Sequence, residues 1–111
     1  MKDNEQAYTL ELVNINNRKV AKVHFENICD LKTRKGCRSI IEKLFSEVSE
    51  GSLKDEGVTL TLTNRISGVS VEREYSSYSV FKDIRYYTNE ITQLVNIIMG
   101  YEEAEALFVH D

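Results

Sequence analysis

The sequence predicts an α+β domain written as a tandem ββα repeat, ββαββα, with a four-stranded antiparallel sheet and two helices packed on one face. Three observations predict it. First, Val58-Thr59-Leu60-Thr61-Leu62-Thr63-Asn64 alternates apolar and polar residues, the period of a half-buried strand. Second, the same pattern stands fifty residues upstream in Tyr8-Thr9-Leu10-Glu11-Leu12-Val13-Asn14. Third, sliding the chain on itself at that offset, without gaps, pairs a period-2 run, a turn, a second run and a helical spacing with their equivalents in the other half. Identical pairs are Thr9/Thr59, Leu10/Leu60, Leu12/Leu62, Asn14/Asn64, Lys32/Lys82, Ile41/Ile91 and Leu44/Leu94.

Taking the elements in order, residues 1–6 are polar and expected to fray. Tyr8, Leu10 and Leu12 point to one side of the first strand, with Thr9 and Glu11 on the other. Asn14 to Arg18 turns the chain, asparagine tolerating left-handed backbone angles. The return strand, Lys19 to Phe25, sends Ala21, Val23 and Phe25 to the core.

Next, Cys37, Ile40, Ile41, Leu44, Phe45 and Val48 fall at helical spacing. Ser39 and Glu42 have the form of a capping box, but Asp30 or Thr33 can start this helix earlier, and the earlier start is preferred. Gly51 is placed to end it, closing a first unit at 8–50.

The second unit spans 58–100: a strand from Val58, a turn at Asn64 to Gly68, and a return along Val69 to Tyr75 with Arg73 at the position of Val23. A serine-rich elbow, Ser76 to Ser79, leads into a long helix striped by Phe81, Ile84, Ile91, Leu94, Val95 and Ile98, with Gly100 placed to stop it. Residues 101–111 then read as an acidic and apolar tail. Chain direction permits the strand orders 2-1-3-4 and 1-2-4-3. A charge turned inward suits an edge strand, so Arg73 favours the first.

The length of 111 residues is that of a single domain, 1–111, large enough to hold one core. A net charge of −4 argues against general phosphate-backbone binding. No apolar run approaches a membrane span, and the N-terminus lacks the apolar core of a signal peptide, so a cytoplasmic location and no membrane partner are expected. Cys29 and Cys37 fit neither a CxxC redox site nor a zinc knuckle and read as reduced packing or loop thiols. Richness in Asn, Ile, Lys and Tyr, whose codons are AT-rich, points to a low-GC bacterium or its phages.

Three surfaces carry candidate contacts. Lys32, Arg34, Lys35 and Arg38 precede or open a helix, where cations oppose the dipole by about 0.3–1 kcal/mol each. A bound anion near Gly36 would compensate, and a solvated basic face is the plainer alternative. The aromatic elbow offers Tyr78, Tyr86 and Tyr87, of which the last two cannot both face a core. The third is the sheet face turned from the helices, with Thr9, Glu11, Val13, Lys22, His24, Thr59, Thr61, Thr63, Glu72 and Glu74. Such a face normally meets water, but it is also a candidate contact for a partner or a second copy. To this set belongs the apolar tip Leu107-Phe108-Val109.

Neither His24 nor His110 has a nucleophile at a recognisable spacing, and no metal or cofactor motif is present. The expectation is a non-enzymatic protein-binding module, such as a phage-encoded inhibitor or a regulatory subunit. Its expected contacts are Tyr78, Tyr86, Tyr87, Leu107 and Phe108, and a homodimer is compatible with it. Two alternatives stand beside it: nucleotide or nucleic-acid binding through residues 32–38, and a small enzyme working between the repeats.

Overall fold

Period-2 and helical patterns become the elements they announce. The computed structural model describes residues 7–49 and 54–109, with side chains as far as residue 103. Its strands are β1 (Tyr8–Asn14), β2 (Val20–Phe25), β3 (Val58–Asn64) and β4 (Ser70–Tyr75), and its helices α1 (Arg34–Ser49) and α2 (Ile84–Val109). Short 3-10 turns, Ile28–Leu31 and Tyr78–Lys82, lead into the two helices. Fraying of residues 1–6 and the stop at Gly51 concern residues outside those described.

The sheet is antiparallel throughout in the order β2-β1-β3-β4. β1 and β3 lie at its centre, with Leu10 opposite Leu62 and Leu12 opposite Leu60. These four leucines are fully buried and meet Ile41 and Leu44 of α1 and Ile91 and Leu94 of α2 in one core. Burying each such side chain contributes about 1.5–3 kcal/mol. Because the pattern is strictly alternating, a one-residue slip would put all four leucines in water, so the register is strongly specified.

Repetition extends to details no hydropathy pattern carries. Arg18 (φ 60°) and Gly68 (φ 82°) adopt left-handed conformations at equivalent turn positions. Each donates its N–H to the carbonyl of the asparagine that begins its turn, Asn14 at 2.7 Å and Asn64 at 2.8 Å. Asn27 and Ser77 cap the two 3-10 turns, accepting from the N–H groups of Cys29 and Ser79. Thr33 then caps α1 by accepting from Gly36 N–H at 3.1 Å, and Asp83 caps α2 by accepting from Arg85 N–H at 3.1 Å. The earlier of the two starts considered for α1 is therefore the observed one. Phe81 is buried but belongs to the 3-10 turn, not to the helix that follows.

Helix length differs between the units. Gly100 does not end α2, which continues to Val109. Glycine costs only about 1 kcal/mol inside a helix, and Glu102 to Leu107 are mostly strong helix formers. The extension is also fastened to the sheet: Glu102 Oε2 accepts from the Tyr8 hydroxyl at 2.7 Å and from Asn64 Nδ2 at 2.8 Å. Burial, then the carboxylate, push the Tyr8 phenol up to about 12. In the first unit, where α1 is described as far as Ser49, the Val48 carbonyl accepts from Asn14 Nδ2 at 2.9 Å. One buried asparagine in each unit thus meets a helix carbonyl in the first and a side-chain carboxylate in the second.

Candidate functional site

The second unit departs from the first along one flank, where β4 meets α2. Arg73 points to the helix side of β4. Its Nη1 donates to Glu90 Oε1 and Gln93 Oε1, both at 2.9 Å, and the Tyr75 hydroxyl donates to the same Glu90 oxygen at 2.9 Å. The inward charge predicted for this edge strand is thereby paired, with Glu90 the more enclosed partner. Burial first, and then Glu90, raise the Tyr75 phenol well above its ordinary value. In the first unit the positions of Arg73 and Glu90 are held by Val23 and Ile40, which pack against the core as apolar residues.

Outside this polar cluster the pattern is reversed. Tyr86, Ile97 and Tyr101 are 44, 38 and 53% exposed. Together with Glu90 and Gln93 they follow the spacing i, i+4, i+7, i+11 and i+15, which keeps them on one side of α2. That side is the one Arg73 reaches, so the stripe rises beside the open edge of the sheet. The equivalent positions in the first unit are Gly36, Glu47 and Gly51. Other exposed apolar residues, Ile15, Val20 and Ile66, are scattered over the two hairpins.

Of the sequence-predicted contacts, Tyr86 lies on this stripe. Tyr78 is half-buried, its ring meeting Phe45 edge-on at 5.7 Å with Lys82 Nζ over its face at 5.8 Å. Tyr87 is a correction: only 3% exposed, it stacks on Phe81 at 6.2 Å and fills the core position that Cys37 occupies in the first unit. Adjacent helical residues point about 100° apart, so exposing Tyr86 turns Tyr87 inward. The backbone of Leu107 and Phe108 continues α2, while their side chains lie outside the described residues. Ile97 was missed because an apolar residue late in a helix reads as core, and Tyr101 because Gly100 reads as the helix stop and leaves it in the tail.

Lys32, Arg34, Lys35 and Arg38 are all exposed at the entry to α1. Arg38 is paired with Glu42 at 2.8 Å, and Lys32 Nζ approaches Met99 Sδ at 3.9 Å. The N–H groups of Gly36 and Cys37 at this helix start are satisfied by the Thr33 hydroxyl and carbonyl. A Cβ on Gly36 would come within 2.2 Å of the Asp30 carbonyl oxygen, so the glycine serves close packing of the turn on the helix. Cys29 is exposed and Cys37 buried, and burial pushes the Cys37 thiol up to about 11. Among the described residues no group of His, Cys, Asp and Glu is arranged to hold a metal ion, and no helix is long and apolar enough to cross a membrane.

The segment from β3 to α2 is covered by a family model. Described as a domain of unknown function (DUF1869), that model matches residues 54–109, half of the chain, and the protein belongs to that family. The matched region is the second ββα unit with its extended helix. No curated protein and no solved structure matches the chain.

Proposed function

We propose that the protein is a non-enzymatic protein-binding module that occupies a partner's surface, as an inhibitor or regulatory subunit does, through the outer flank of α2. The observation that carries this reading is an inversion between the two units. The first keeps Val23 and Ile40 inside and Glu47 outside; the second puts Arg73 and Glu90 inside and Tyr86, Ile97 and Tyr101 outside. A helix that exposes three of its large apolar residues while enclosing an ion pair gains nothing from that exposure in isolation. It gains when another surface covers the stripe, and tyrosines supply large contact area at low entropic cost.

Affinity capture from a low-GC bacterial lysate tests this, comparing the wild type with a variant carrying Tyr86→Ser, Ile97→Ser and Tyr101→Ser. The expected result is one stoichiometric protein that survives nuclease and high salt, retained roughly tenfold less or worse by the variant, since a central aromatic anchor carries 1–2 kcal/mol or more. Equal retention by both would refute the assignment of this flank.

A further inference from the structure

We infer that the open β4 edge beside this flank takes β2 of a second copy of the chain, in a head-to-tail arrangement that continues the sheet. The inference rests on the reading of the α2 flank as a contact surface and places a second copy over it when no other partner occupies it. Strand direction permits it: β2 and β4 run antiparallel to each other, so a second copy in the same orientation presents β2 antiparallel to β4.

Backbone polarity agrees. Asn14 N–H donates to Lys19 C=O, and Asn64 N–H to Val69 C=O, which makes the odd-numbered residues of β2 and β4 the ones bonded inward. The N–H and C=O groups of Val20, Lys22 and His24 on one edge, and of Ser70, Glu72 and Glu74 on the other, therefore point away from the sheet. Pairing even residues with even residues satisfies both rows and keeps the helix faces on one side.

Charge selects the partner. With Val23 opposite Arg73, His24 stands opposite Glu72 and Lys22 opposite Glu74, all four on the outer face. Self-same pairing does the reverse. β4 on β4, centred on Glu72, Arg73 or Glu74, sets glutamate against glutamate. β2 on β2, centred on Lys22, sets Lys22 against Lys22. Opposite charges across a ladder are favourable and like charges unfavourable, so Lys22 fits Glu74 and the like-charge pairs count against self-same pairing. The Arg73 charge, a deterrent on a bare edge, is already neutralised by Glu90. On the helix side, α1 of the incoming copy sits over its own β2 and comes alongside the α2 stripe, bringing Ile40 and the stem of Lys43 toward Tyr86 and Ile97. The interface is heterologous, so the array grows with concentration unless it closes into a ring.

Sedimentation equilibrium on the full chain tests the inference with the wild type, K22E, E74K and an equimolar mixture of the two variants. The wild type is expected to exceed monomer mass as concentration rises at low salt and to return toward it at high salt. Each variant alone places like charges across the new ladder and is expected to associate roughly tenfold more weakly. Mixing them restores opposite charges at both junctions and is expected to recover the wild-type behaviour, which also shows that both variants fold. A monomeric wild type at every concentration, variants that associate as the wild type does, or a mixture no stronger than its components would each overturn the inference. If any of these results accompanies loss of capture in the α2 variant, self-pairing alone falls. If capture is unchanged, the reading beneath it falls as well.

Discussion

Glu11 stands directly opposite Thr61 in the β1–β3 ladder, and Thr61 is also its counterpart fifty residues on, so the pseudo-twofold axis of the protein passes between these two side chains. At that point alone a residue faces its own equivalent, and the two differ in charge. A homodimer built from first units would set Glu11 against another Glu11, whereas the chain as written meets a threonine there. Glu11 therefore disfavours pairing of β1 with β1 of another copy and favours closure within one chain.

Thr61→Glu should accordingly destabilise the protein by about 0.5–1 kcal/mol at low salt, because it brings a second carboxylate opposite Glu11. Glu11→Thr should be nearly neutral. Urea midpoints at two ionic strengths check this, with the T61E penalty shrinking in high salt.

The repeat supplies its own controls for the turns. Arg18 holds a left-handed conformation where the second unit has Gly68. A non-glycine residue there costs about 1–2 kcal/mol. Arg18→Gly recovers part of that, less the extra entropy of glycine in the unfolded chain, for an expected gain of about 0.5 kcal/mol. Gly68→Ala should lose about 1 kcal/mol. Thermal melts of both variants read these opposite signs.

The Arg73 and Glu90 pair should behave as a coupled unit. Arg73→Val leaves Glu90 with Tyr75 but no cation, at an expected cost of about 1–2 kcal/mol. Arg73→Val with Glu90→Ile installs the residues of the first unit and should recover most of that loss, since a partly enclosed ion pair is worth little more than good apolar packing. Chemical denaturation of the two single variants and the double closes the cycle, with coupling of about 1 kcal/mol expected.

Burial gives the protein an alkaline weakness. The Cys37 thiol, ordinarily near 9.0, is held up to about 11, and the Tyr8 phenol, ordinarily near 10.0, up to about 12. Both folded values lie above the unfolded ones, so the stability they contribute is complete below pH 9 and is lost as pH rises toward 12. Unfolding midpoints should fall over that window, and less so in Cys37→Ala. At pH 8 a thiol reagent should label exposed Cys29 rapidly and Cys37 only on unfolding.

Much of the fold was legible because alternation and helical spacing report burial directly. Leu10, Leu12, Leu60 and Leu62 mark the central strands, and the inward Arg73 chose the strand order that is observed. What failed was local punctuation. Gly100 reads as a stop, but tertiary bonds from Tyr8 and Asn64 to Glu102 hold the helix past it. A hydropathy pattern cannot contain those contacts, because their partners lie far away in sequence. The site was less legible for a related reason: Tyr86 was identifiable from crowding against Tyr87, but Ile97 becomes conspicuous only when the side of α2 that meets β4 is known.

The most direct test of the α2 surface compares an exposed position on each helix. A photo-crosslinking residue placed at Ile97 should join the protein to a partner chain in living cells, while the same residue at Ser46, exposed on α1 but off the Ile40 and Lys43 flank, should give at most a small fraction of that yield. Equal crosslinking at both positions, or none at Ile97, would contradict the claim that the second unit carries the contact surface.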